Sequence, residues 1–490
     1  MGLRELESEY WDWRTLAAPD TSDDLPRLRR PPRWTPDWSP EAVRARREAA
    51  SSFQTRYDAI KTTDVDARLL GSAIARAHWE LELVRGWQTN PCFYIDQTLG
   101  SIFVLLLEPD PPLDEIALRV DAIPGNLVHA RSNLDGHAAA PFTRAALGHL
   151  DHAPEDLTES MRHLSIDASR AAAALTEFRD WLAASTMESA TVAVGEDAFD
   201  FFLTNVALLP YTAEQIVAMG RQEWTRAVAT EAILKSSARP TLPASAQEQV
   251  EAQAVAEKAV RRHYVQKGLL SQPDSLRPYT FALRPDYLRP LSWLGVTDNL
   301  VTGVRYIPPP RPGLPYFDRA AAKDPRLAIA HEGVHAQQMA LSWEHPNPAR
   351  RRFYDSTPNE GIAFYNEELM LLSGLFDDNP RSRVTVASFL RLRALRVEVD
   401  VALALGRMTI EEAAHRLATL VPVDEETAWQ EAVFFAGNPG QAMSYLVGKQ
   451  QILELLAEAG SRPGFDLMSF HDRLWLEGNV PLALQRLEIL

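Results

Sequence analysis

Apolar residues recur three and four positions apart through much of the 490-residue chain, which is the spacing expected of amphipathic helices. Residues that favour helix starts, Ser39-Pro40 and Thr212, precede two of the segments with this pattern. The pattern therefore predicts a mainly α-helical protein. Long segments with this pattern include 42–60, 70–87, 171–182, 213–235 and 248–267.

Prolines divide this helical pattern at 30–40, 236–247 and 307–315. The last stretch holds five prolines in nine residues and cannot be helical. Before it, residues 279–283 and 300–307 carry β-branched and aromatic side chains in alternation, which indicates short strands. We therefore expect one small β-sheet, next to the helix that carries the candidate chemistry.

The chain shows no internal repeat and no low-complexity tail. We expect an N-terminal helical lobe over residues 1–275 and a catalytic lobe over residues 276–490. The two lobes are predicted to form one continuous structural unit around a central cleft.

Composition and charge exclude several classes of function. Hydrophobic residues make up 46% of the chain and charged residues 24%, which is the range of an ordinary globular protein. The formal net charge is −16, whereas a protein that binds nucleic acid should offer a basic surface. We therefore predict no nucleic acid and no anionic membrane among its partners.

Cysteine usage and apolar runs indicate the compartment. Cys92 is the only cysteine, so no intramolecular disulfide requires oxidising conditions. The first residues lack the apolar core of a signal peptide, and the longest apolar run, 102–107, is too short to cross a bilayer. A bias towards alanine, arginine and leucine is typical of a GC-rich bacterium. We predict a cytoplasmic bacterial protein, either a monomer or a homodimer.

Residues 331–335 read His-Glu-Gly-Val-His and are the strongest chemical signal in the chain. On a helix, residues four apart are about 40° apart, so His331 and His335 would point the same way. Two imidazoles so placed can share one tetrahedral zinc ion. Glu332 could then accept a proton from an attacking water. The alternative is two surface histidines on an amphipathic helix.

A third protein ligand must come from elsewhere in the chain. Position 341, six residues after His335, is leucine rather than histidine. Glu344 is nine residues after His335, roughly 13 Å further along a continued helix, and cannot reach the same ion. The next acidic residues are Glu360, Glu367 and Glu368.

Glu360 supports two interpretations. It begins a predicted helix, 360–372, from which its carboxylate could meet the imidazoles of a neighbouring helix. It also ends the sequence Thr357-Pro358-Asn359-Glu360, which has the form of a capping box with proline at the first helical position. From the residues alone, metal ligand and helix cap remain equally open.

Several stretches together resemble one large bacterial family catalogued as a domain of unknown function. That family is similar in fold to the carboxypeptidase Taq group of zinc metallopeptidases. The stretches are HEGVHAQQMALSWEHPN at 331–347, NEGIAFYNEE at 359–368, LRALRVEVDVALALG at 392–406, NPGQAMSYLVG at 438–448 and FHDRLWLEGNVPLAL at 470–484.

The resemblance implies one zinc ion per chain, bound by His331, His335 and Glu360, with Glu332 as the general base. It also implies a large helical fold with a deep cleft. The chain departs from the family pattern at two places. It lacks a Pro-Gly insertion before His335, which predicts a more regular helix here, and it has Ala404 where the family often has histidine.

Two further residues are candidates for catalysis. The Tyr445 hydroxyl could donate a hydrogen bond to the oxyanion of a tetrahedral intermediate, an assignment that depends mainly on the resemblance. Otherwise Tyr445 is a buried helical tyrosine. His471 could stabilise the same oxyanion or bind a carboxylate. Its alternative is a histidine near a helix N-terminus.

Candidates for substrate binding come from the same region. Arg393 and Arg396 are three residues apart and would share a helix face, where they could hold a substrate carboxylate. Alternatively, Arg396 forms a local ion pair with Asp400. Gln441 is also predicted to bind substrate. Asp400 and Glu368 are candidates for orienting a metal-binding imidazole.

Three functions fit these residues. The first is a zinc metallopeptidase that cleaves short peptides. The second is a zinc enzyme acting on a small metabolite, by amide hydrolysis or elimination, which Ala404 and the missing Pro-Gly favour. The third is a helical binding protein without catalysis, which the intact His331-Glu332 pair argues against.

Overall fold

Helices make up most of the structure, a computed structural model that describes residues 2–20, 28–185 and 192–490. Three short strands form one small sheet: β1 at Thr280–Leu283, β2 at Asp298–Asn299 and β3 at Val304–Ile307. Strands β1 and β3 pair in parallel, with Thr280 opposite Val304 and Leu283 opposite Ile307. The prediction of a mainly helical protein with one small sheet is confirmed.

The chain divides into two units. Unit 1 comprises Met1–Val194 and Arg284–Asn299, and unit 2 comprises Gly195–Leu283 and Leu300–Leu490. The predicted lobe boundary near residue 275 therefore falls inside unit 2. The reason is packing, because Val260 and Tyr264 belong to the buried core of unit 2.

Unit 1 is helical, and several of its aromatic side chains pack edge to face. The Tyr10 and Phe53 rings, for example, are 5.4 Å apart at 85°. Its α-helices are α1 Leu3–Ala17, α2 Pro40–Asp58, α3 Val65–His78, α4 Gly86–Thr89, α5 Pro91–Ile95, α6 Ser101–Leu106, α7 Leu113–Leu134, α8 Ala140–Leu150, α9 Ala153–His163 and α10 Ser169–Ala184. Its π-helical segments are Trp79–Val84 and Asp96–Gly100.

Unit 2 contains the candidate site. Its α-helices are α11 Glu196–Phe201, α12 Ala213–Leu234, α13 Ala246–Lys267, α14 Tyr316–Lys323, α15 Arg326–Ala328, α16 Val334–Trp343, α17 Pro348–Arg352, α18 Ser356–Leu372, α19 Pro380–Ala404, α20 Ile410–Leu420, α21 Glu425–Gly437, α22 Gln441–Gly460, α23 Leu467–Glu477 and α24 Leu482–Ile489. Its π-helical segments are Phe202–Val206 and Ile329–Gly333.

Helix starts follow the local signals in the sequence. Ser39 accepts a hydrogen bond from the Ala42 amide at the start of α2. Thr212 and Gln215 form a complete capping box at the start of α12. Each cap satisfies backbone donors that have no partner within the helix itself.

Helices α18 and α22 cross at two glycines, which brings their backbones into close contact. A Cβ atom added to Gly448 would lie 2.0 Å from the Thr357 carbonyl oxygen. One added to Gly361 would lie 2.6 Å from the Gly448 backbone. The crossing therefore requires hydrogen in place of a side chain on both helices, and it holds Glu360 and Tyr445 in the same region of unit 2.

The two paired strands lie beside the helix that carries the His-Glu-Gly-Val-His motif. Tyr279 and Ile307 share one buried cluster with Ile329 and Val334. Within the described part of the chain, no helix is both long enough and apolar enough to span a membrane.

Candidate metal centre

His331 lies in the π-helical segment Ile329–Gly333, and His335 lies in the first turn of α16. The expectation of a more regular helix at this motif is therefore wrong. A π turn displaces one carbonyl from the usual hydrogen-bond ladder, and such turns are frequent at functional sites. Here the Asn366 side-chain amide donates a hydrogen bond of 2.8 Å to the Ala330 carbonyl, which stabilises the irregular turn.

Glu360 is well inside α18 rather than at its start. The helix begins at Ser356, and Asp355 caps it by accepting a hydrogen bond of 2.7 Å from the Thr357 amide. The predicted start at residue 360 and the Thr357–Glu360 capping box are therefore wrong. The cap belongs to Asp355, and the Glu360 carboxylate is left for another role.

Three side chains converge at this point: His331, His335 and Glu360. Their potential ligand atoms all lie within 4.8 Å of one another. Glu360 Oε2 is 3.5 Å from His331 Nε2 and 3.5 Å from His335 Nε2. The imidazole rings are perpendicular, with centroids 5.1 Å apart, so their Nε2 atoms approach one region from two directions.

The cluster fits a divalent cation. The three residues are buried, with 4–9% of their surface exposed, yet Glu360 Oε2 has no hydrogen-bond donor. A buried carboxylate oxygen without a donor is costly unless a positive charge compensates it. Two imidazole nitrogens and one carboxylate oxygen are the ligand set of many zinc sites that keep a fourth position for water or substrate.

Charge and burial shift the titration of this cluster in opposite senses. Burial and the neighbouring Arg393 guanidinium disfavour the imidazolium of His331, but the Glu360 and Glu367 carboxylates raise its pKa to about 9. Burial also disfavours the Glu360 carboxylate, but the two imidazoles hold its pKa far below the usual value. Without a metal, a proton on the His331 imidazole would provide the compensating charge.

Glu332 is partly exposed beside the cluster, with 24% of its side chain accessible. Its Oε1 atom is 3.5 Å from Nη1 of Arg305 on β3, and Arg305 Nη2 is 3.8 Å from Asp318 Oδ1 on α14. Burial opposes ionisation of Glu332, but Arg305 and the two imidazoles hold its pKa below the usual value. Nothing in the sequence indicated this contact between Arg305 and Glu332.

Tyr445 lies directly against the cluster. Its ring is stacked on that of His331, with centroids 6.1 Å apart and an angle of 12°. The guanidinium groups of Arg393 and Arg396 lie over the same ring, 5.4 Å and 5.3 Å from its centroid. The structure thus brings the predicted Tyr445 and both arginines to the candidate centre.

The two arginines already have carboxylate partners. Arg393 Nη2 is 2.9 Å from Glu367 Oε1. Arg396 donates to both carboxylate oxygens of Glu431, with its Nε atom 3.2 Å from Oε2. The suggested local pair between Arg396 and Asp400 is not formed, because Arg396 pairs instead with Glu431 on α21.

Asp400 and Glu368 do not orient an imidazole. Asp400 accepts hydrogen bonds from the backbone amides of Gly440 and Met443, at 2.9 Å and 2.8 Å, where α22 begins. Glu368 pairs instead with Lys449 and Arg226. The carboxylate nearest an imidazole is Glu367, whose Oε1 atom is 2.7 Å from His331 Nδ1. Its spacing of seven residues from Glu360 places it on the same helix face, which is a signal that the sequence offered.

His471 has structural surroundings. It is fully buried, its Nδ1–H donates to the Leu269 carbonyl at 2.6 Å, and its Nε2 accepts from the Tyr365 hydroxyl at 2.9 Å. Both ring nitrogens are thus occupied, so we do not include His471 in the proposed mechanism. Gln441 is the first residue of α22, one turn before Tyr445 on the same helix.

These observations define a mainly helical protein with a buried His-His-Glu centre. The chain belongs to the family described as bacterial protein of unknown function (DUF885), which it matches over residues 32–489. This confirms the bacterial family of unknown function indicated by the sequence motifs. A comparison with curated proteins found no match.

Two solved structures have the same fold over nearly their whole length. One, from Shewanella oneidensis, is described as "a putative lipoprotein of unknown function"; it has a TM-score of 0.71, 15% identity, and coverage of 100% of this chain and 99% of that chain. The other, from Colwellia psychrerythraea, is described as "the putative lipoprotein"; it has a TM-score of 0.72, 16% identity, and coverage of 99% and 98%. At these identities the similarity concerns the fold alone.

Proposed function

We propose that this protein is a zinc-dependent hydrolase that binds one zinc ion per chain through His331, His335 and Glu360. The observation that carries the proposal is the buried Glu360 Oε2 atom, which has no hydrogen-bond donor and is 3.5 Å from both imidazole Nε2 atoms. A bound zinc ion would supply Lewis acidity towards a carbonyl group and would make water nucleophilic at neutral pH.

The side chains around the cluster have complementary tasks in this mechanism. Glu332 accepts the proton of the attacking water on a carboxylate oxygen and transfers it to the leaving nitrogen. Tyr445 donates a hydrogen bond from its hydroxyl to the developing oxyanion. Arg305 holds the Glu332 carboxylate beside the cluster, through the 3.5 Å contact between Nη1 and Oε1.

The proposed substrate is a short peptide, as expected for a metallopeptidase. The resemblance of the motifs to zinc metallopeptidases supports this, together with the placement of Tyr445 against His331. A second candidate is a small-molecule amide. It is favoured because Arg393 and Arg396 are already paired with Glu367 and Glu431, so neither offers an uncompensated cation to the terminal carboxylate of a peptide.

Metal analysis tests the proposal directly. Protein purified without chelators should contain about one zinc per chain, or should take up one on titration. The His331→Ala and Glu360→Gln variants should lose it. His263→Ala is a matched control, because His263 is another histidine of unit 2 and contacts Ser373 instead. A wild-type protein that binds no zinc would refute the central claim.

A substrate screen separates the two candidate reactions. Free dipeptides, peptides with blocked termini and simple amides would be offered to the zinc-loaded protein, with and without a chelator. Chelator-sensitive cleavage of peptides would support the peptidase. Cleavage restricted to non-peptide amides would support the second candidate, and no cleavage of either class would argue against hydrolysis.

We also infer a cytoplasmic location, because a chain with a single cysteine needs no oxidising compartment for an intramolecular disulfide. Because the two solved structures are described as lipoproteins, this inference needs its own test. Cell fractionation should recover the full-length protein in the cytosolic fraction. Recovery with membranes would overturn it.

A further inference from the structure

The imidazole of His331 lies between two carboxylates of one helix. Glu360 and Glu367 are seven residues apart on α18, so they share one face of the helix two turns apart. Glu360 Oε2 is 3.5 Å from His331 Nε2, and Glu367 Oε1 is 2.7 Å from His331 Nδ1. The two nitrogens of the ring therefore face different acidic groups.

These two contacts have different chemical consequences. If Nε2 of His331 binds a metal, its lone pair is used, and the proton of the neutral ring must be on Nδ1. Nδ1 then acts as a donor, and Glu367 is the acceptor in contact with it. A carboxylate in this position fixes the tautomer and orientation of the ring and raises its basicity as a ligand. His335 differs, because its buried Nδ1 has no hydrogen-bond partner.

Arg393 contacts both members of this pair, and its Nη2 atom is 3.3 Å from His331 Nδ1. Its Nη2 atom is 2.9 Å from Glu367 Oε1, and its side chain is 4% exposed. The rings of Phe364, Phe389 and Tyr445 each have their centroid 5.4 Å from the guanidinium carbon.

Glu367 is the carboxylate that pairs with Arg393 among these aromatic rings. The Nε and Nη1 atoms of Arg393 have no hydrogen-bond acceptor and face apolar groups. An ion pair enclosed by apolar groups is screened less than one in water, so the two charges hold each other in place more strongly. The guanidinium thus holds the Glu367 carboxylate in place against His331.

We propose that Glu367 and Arg393 are positioning residues that set the tautomer and orientation of the His331 imidazole for metal binding. The inference rests on the proposed function and adds two residues to it. Neither residue is needed as a metal ligand. Their effect should therefore be seen in metal affinity and in the ligand field of the bound ion, besides any effect on turnover.

The test compares two similar ion pairs that involve the same helix. Arg396 is three residues after Arg393 on α19, is 7% exposed, and pairs with Glu431 rather than with Glu367. Glu367→Gln and Glu431→Gln each remove the negative partner of a buried arginine. Glu431→Gln is therefore the matched control for any general loss of stability.

Zinc affinity would be measured on the full chain by competition with a chromophoric chelator. Glu367→Gln should weaken zinc binding by about 10- to 100-fold, which is typical for loss of a carboxylate behind a metal-binding histidine. Arg393→Lys should cause a smaller loss in the same direction. Glu431→Gln should stay within about threefold of wild type, although its metal-free form loses thermal stability as Glu367→Gln does.

A spectroscopic measurement adds an independent signature. In cobalt-substituted protein, the visible absorption bands should change in Glu367→Gln and Arg393→Lys, and should match wild type in Glu431→Gln. If Glu367→Gln does not fold, Arg393→Lys carries the test by itself, because it keeps the charge and alters only the geometry.

The possible outcomes distinguish the two claims. Equal zinc affinity and identical cobalt bands in Glu367→Gln and Glu431→Gln would overturn the positioning role. The proposed function would survive that result if wild-type protein binds zinc and Glu360→Gln does not. A wild-type protein without zinc affinity would overturn both.

Discussion

Two clusters of charged side chains in unit 2 share helix α18 but differ in how their charges are balanced; the first is buried, and the second is buried except for Arg226. One is the candidate centre of His331, His335 and Glu360. The other, which we call the four-charge network, consists of Glu223, Arg226, Glu368 and Lys449. Lys449 Nζ is 2.5 Å from Glu223 Oε1 and 2.9 Å from Glu368 Oε2. Arg226 Nη2 is 2.6 Å from Glu223 Oε1, and Arg226 also pairs with Glu368.

The four-charge network is complete by itself. Its two carboxylates face two cations, and Lys449, which is 1% exposed, also lies 4.4 Å from the Phe364 ring centroid. Burial opposes the charge on Glu368, but Lys449 and Arg226 lower its pKa to about 2. Such a network joins helices and needs no external ligand.

The candidate centre lacks an equivalent cation on its Glu360 oxygen. This oxygen is 3.5 Å from two imidazole nitrogens, which balance the charge of a carboxylate only when they are protonated or bind a metal. The comparison teaches that burial and charge alone do not identify a functional site. What separates these two clusters is that Glu360 Oε2 has no hydrogen-bond donor, whereas the carboxylates of the four-charge network are paired with cations.

The largest expected effect is a loss of turnover, without loss of zinc or fold, when Glu332 is replaced. Glu332→Gln should retain zinc and fold, because the side chain contacts Arg305 and is not one of the three clustered ligands. The amide cannot accept a proton, so turnover of a cleaved substrate should fall by roughly 10²–10⁴-fold. Steady-state kinetics with the best substrate from the screen would measure it.

The counterpart in the four-charge network is Glu368→Gln. It should lower stability while turnover per folded, zinc-loaded molecule stays near wild type. A Glu332→Gln enzyme with more than about a tenth of wild-type turnover would remove Glu332 as the base and favour another reaction, such as an elimination.

A second substitution should affect stability and leave the metal centre unchanged. Lys449→Met should leave zinc binding intact but reduce the free energy of unfolding by about 3–5 kcal/mol, because Glu223 and Glu368 would then share Arg226 as their only cation in the network. Urea denaturation of the metal-free protein would measure it. Arg486→Met is the control, since Arg486 and Glu458 form an exposed pair whose loss should cost about 1 kcal/mol or less. A loss below about 1 kcal/mol for Lys449→Met would show that the network contributes little to stability.

Features set by neighbours along the chain could be predicted from the sequence. The spacing of His331 and His335 placed two imidazoles on one side of a helix, and the alternation in 279–283 and 300–307 indicated the strands. The structure has these elements, with β1 at Thr280–Leu283 and β3 at Val304–Ile307. In each case the sequence pattern and the element that it predicts involve the same few neighbouring residues.

Partners that are distant along the chain could not be predicted in this way. Glu367 and Glu368 are adjacent, yet one faces His331 and the other faces Lys449. Sequence spacing suggested that Arg396 would pair with Asp400, four residues on, but its partner is Glu431, 35 residues away. Which acceptor wins depends on how whole helices pack, and one sequence does not reveal that packing.

The smallest expected effect concerns Asp400, which belongs to neither cluster and titrates in a different pH range. Its carboxylate accepts the amides of Gly440 and Met443 at the start of α22 and is fully buried. Burial raises its pKa to about 7, although the backbone hydrogen bonds act in the opposite direction. In the unfolded chain the pKa of an aspartate is near 3.9.

The sign of the pH dependence follows from these two values. Between about pH 4 and pH 7 the folded protein binds more protons at Asp400 than the unfolded chain does, so the contribution of this group to stability decreases as the pH rises through that range. The decrease can reach about 1.4 kcal/mol per pH unit for one proton. Glu368, whose pKa is lowered to about 2, acts oppositely and only as the pH falls below about 4.5, so the two effects occupy separate ranges.

Urea denaturation of metal-free wild type and Asp400→Asn at about pH 5 and about pH 6.5 would test this, because asparagine does not titrate. The variant should lose less stability than wild type between the two values; an equal loss would show that Asp400 is ionised throughout and that its backbone hydrogen bonds outweigh its burial.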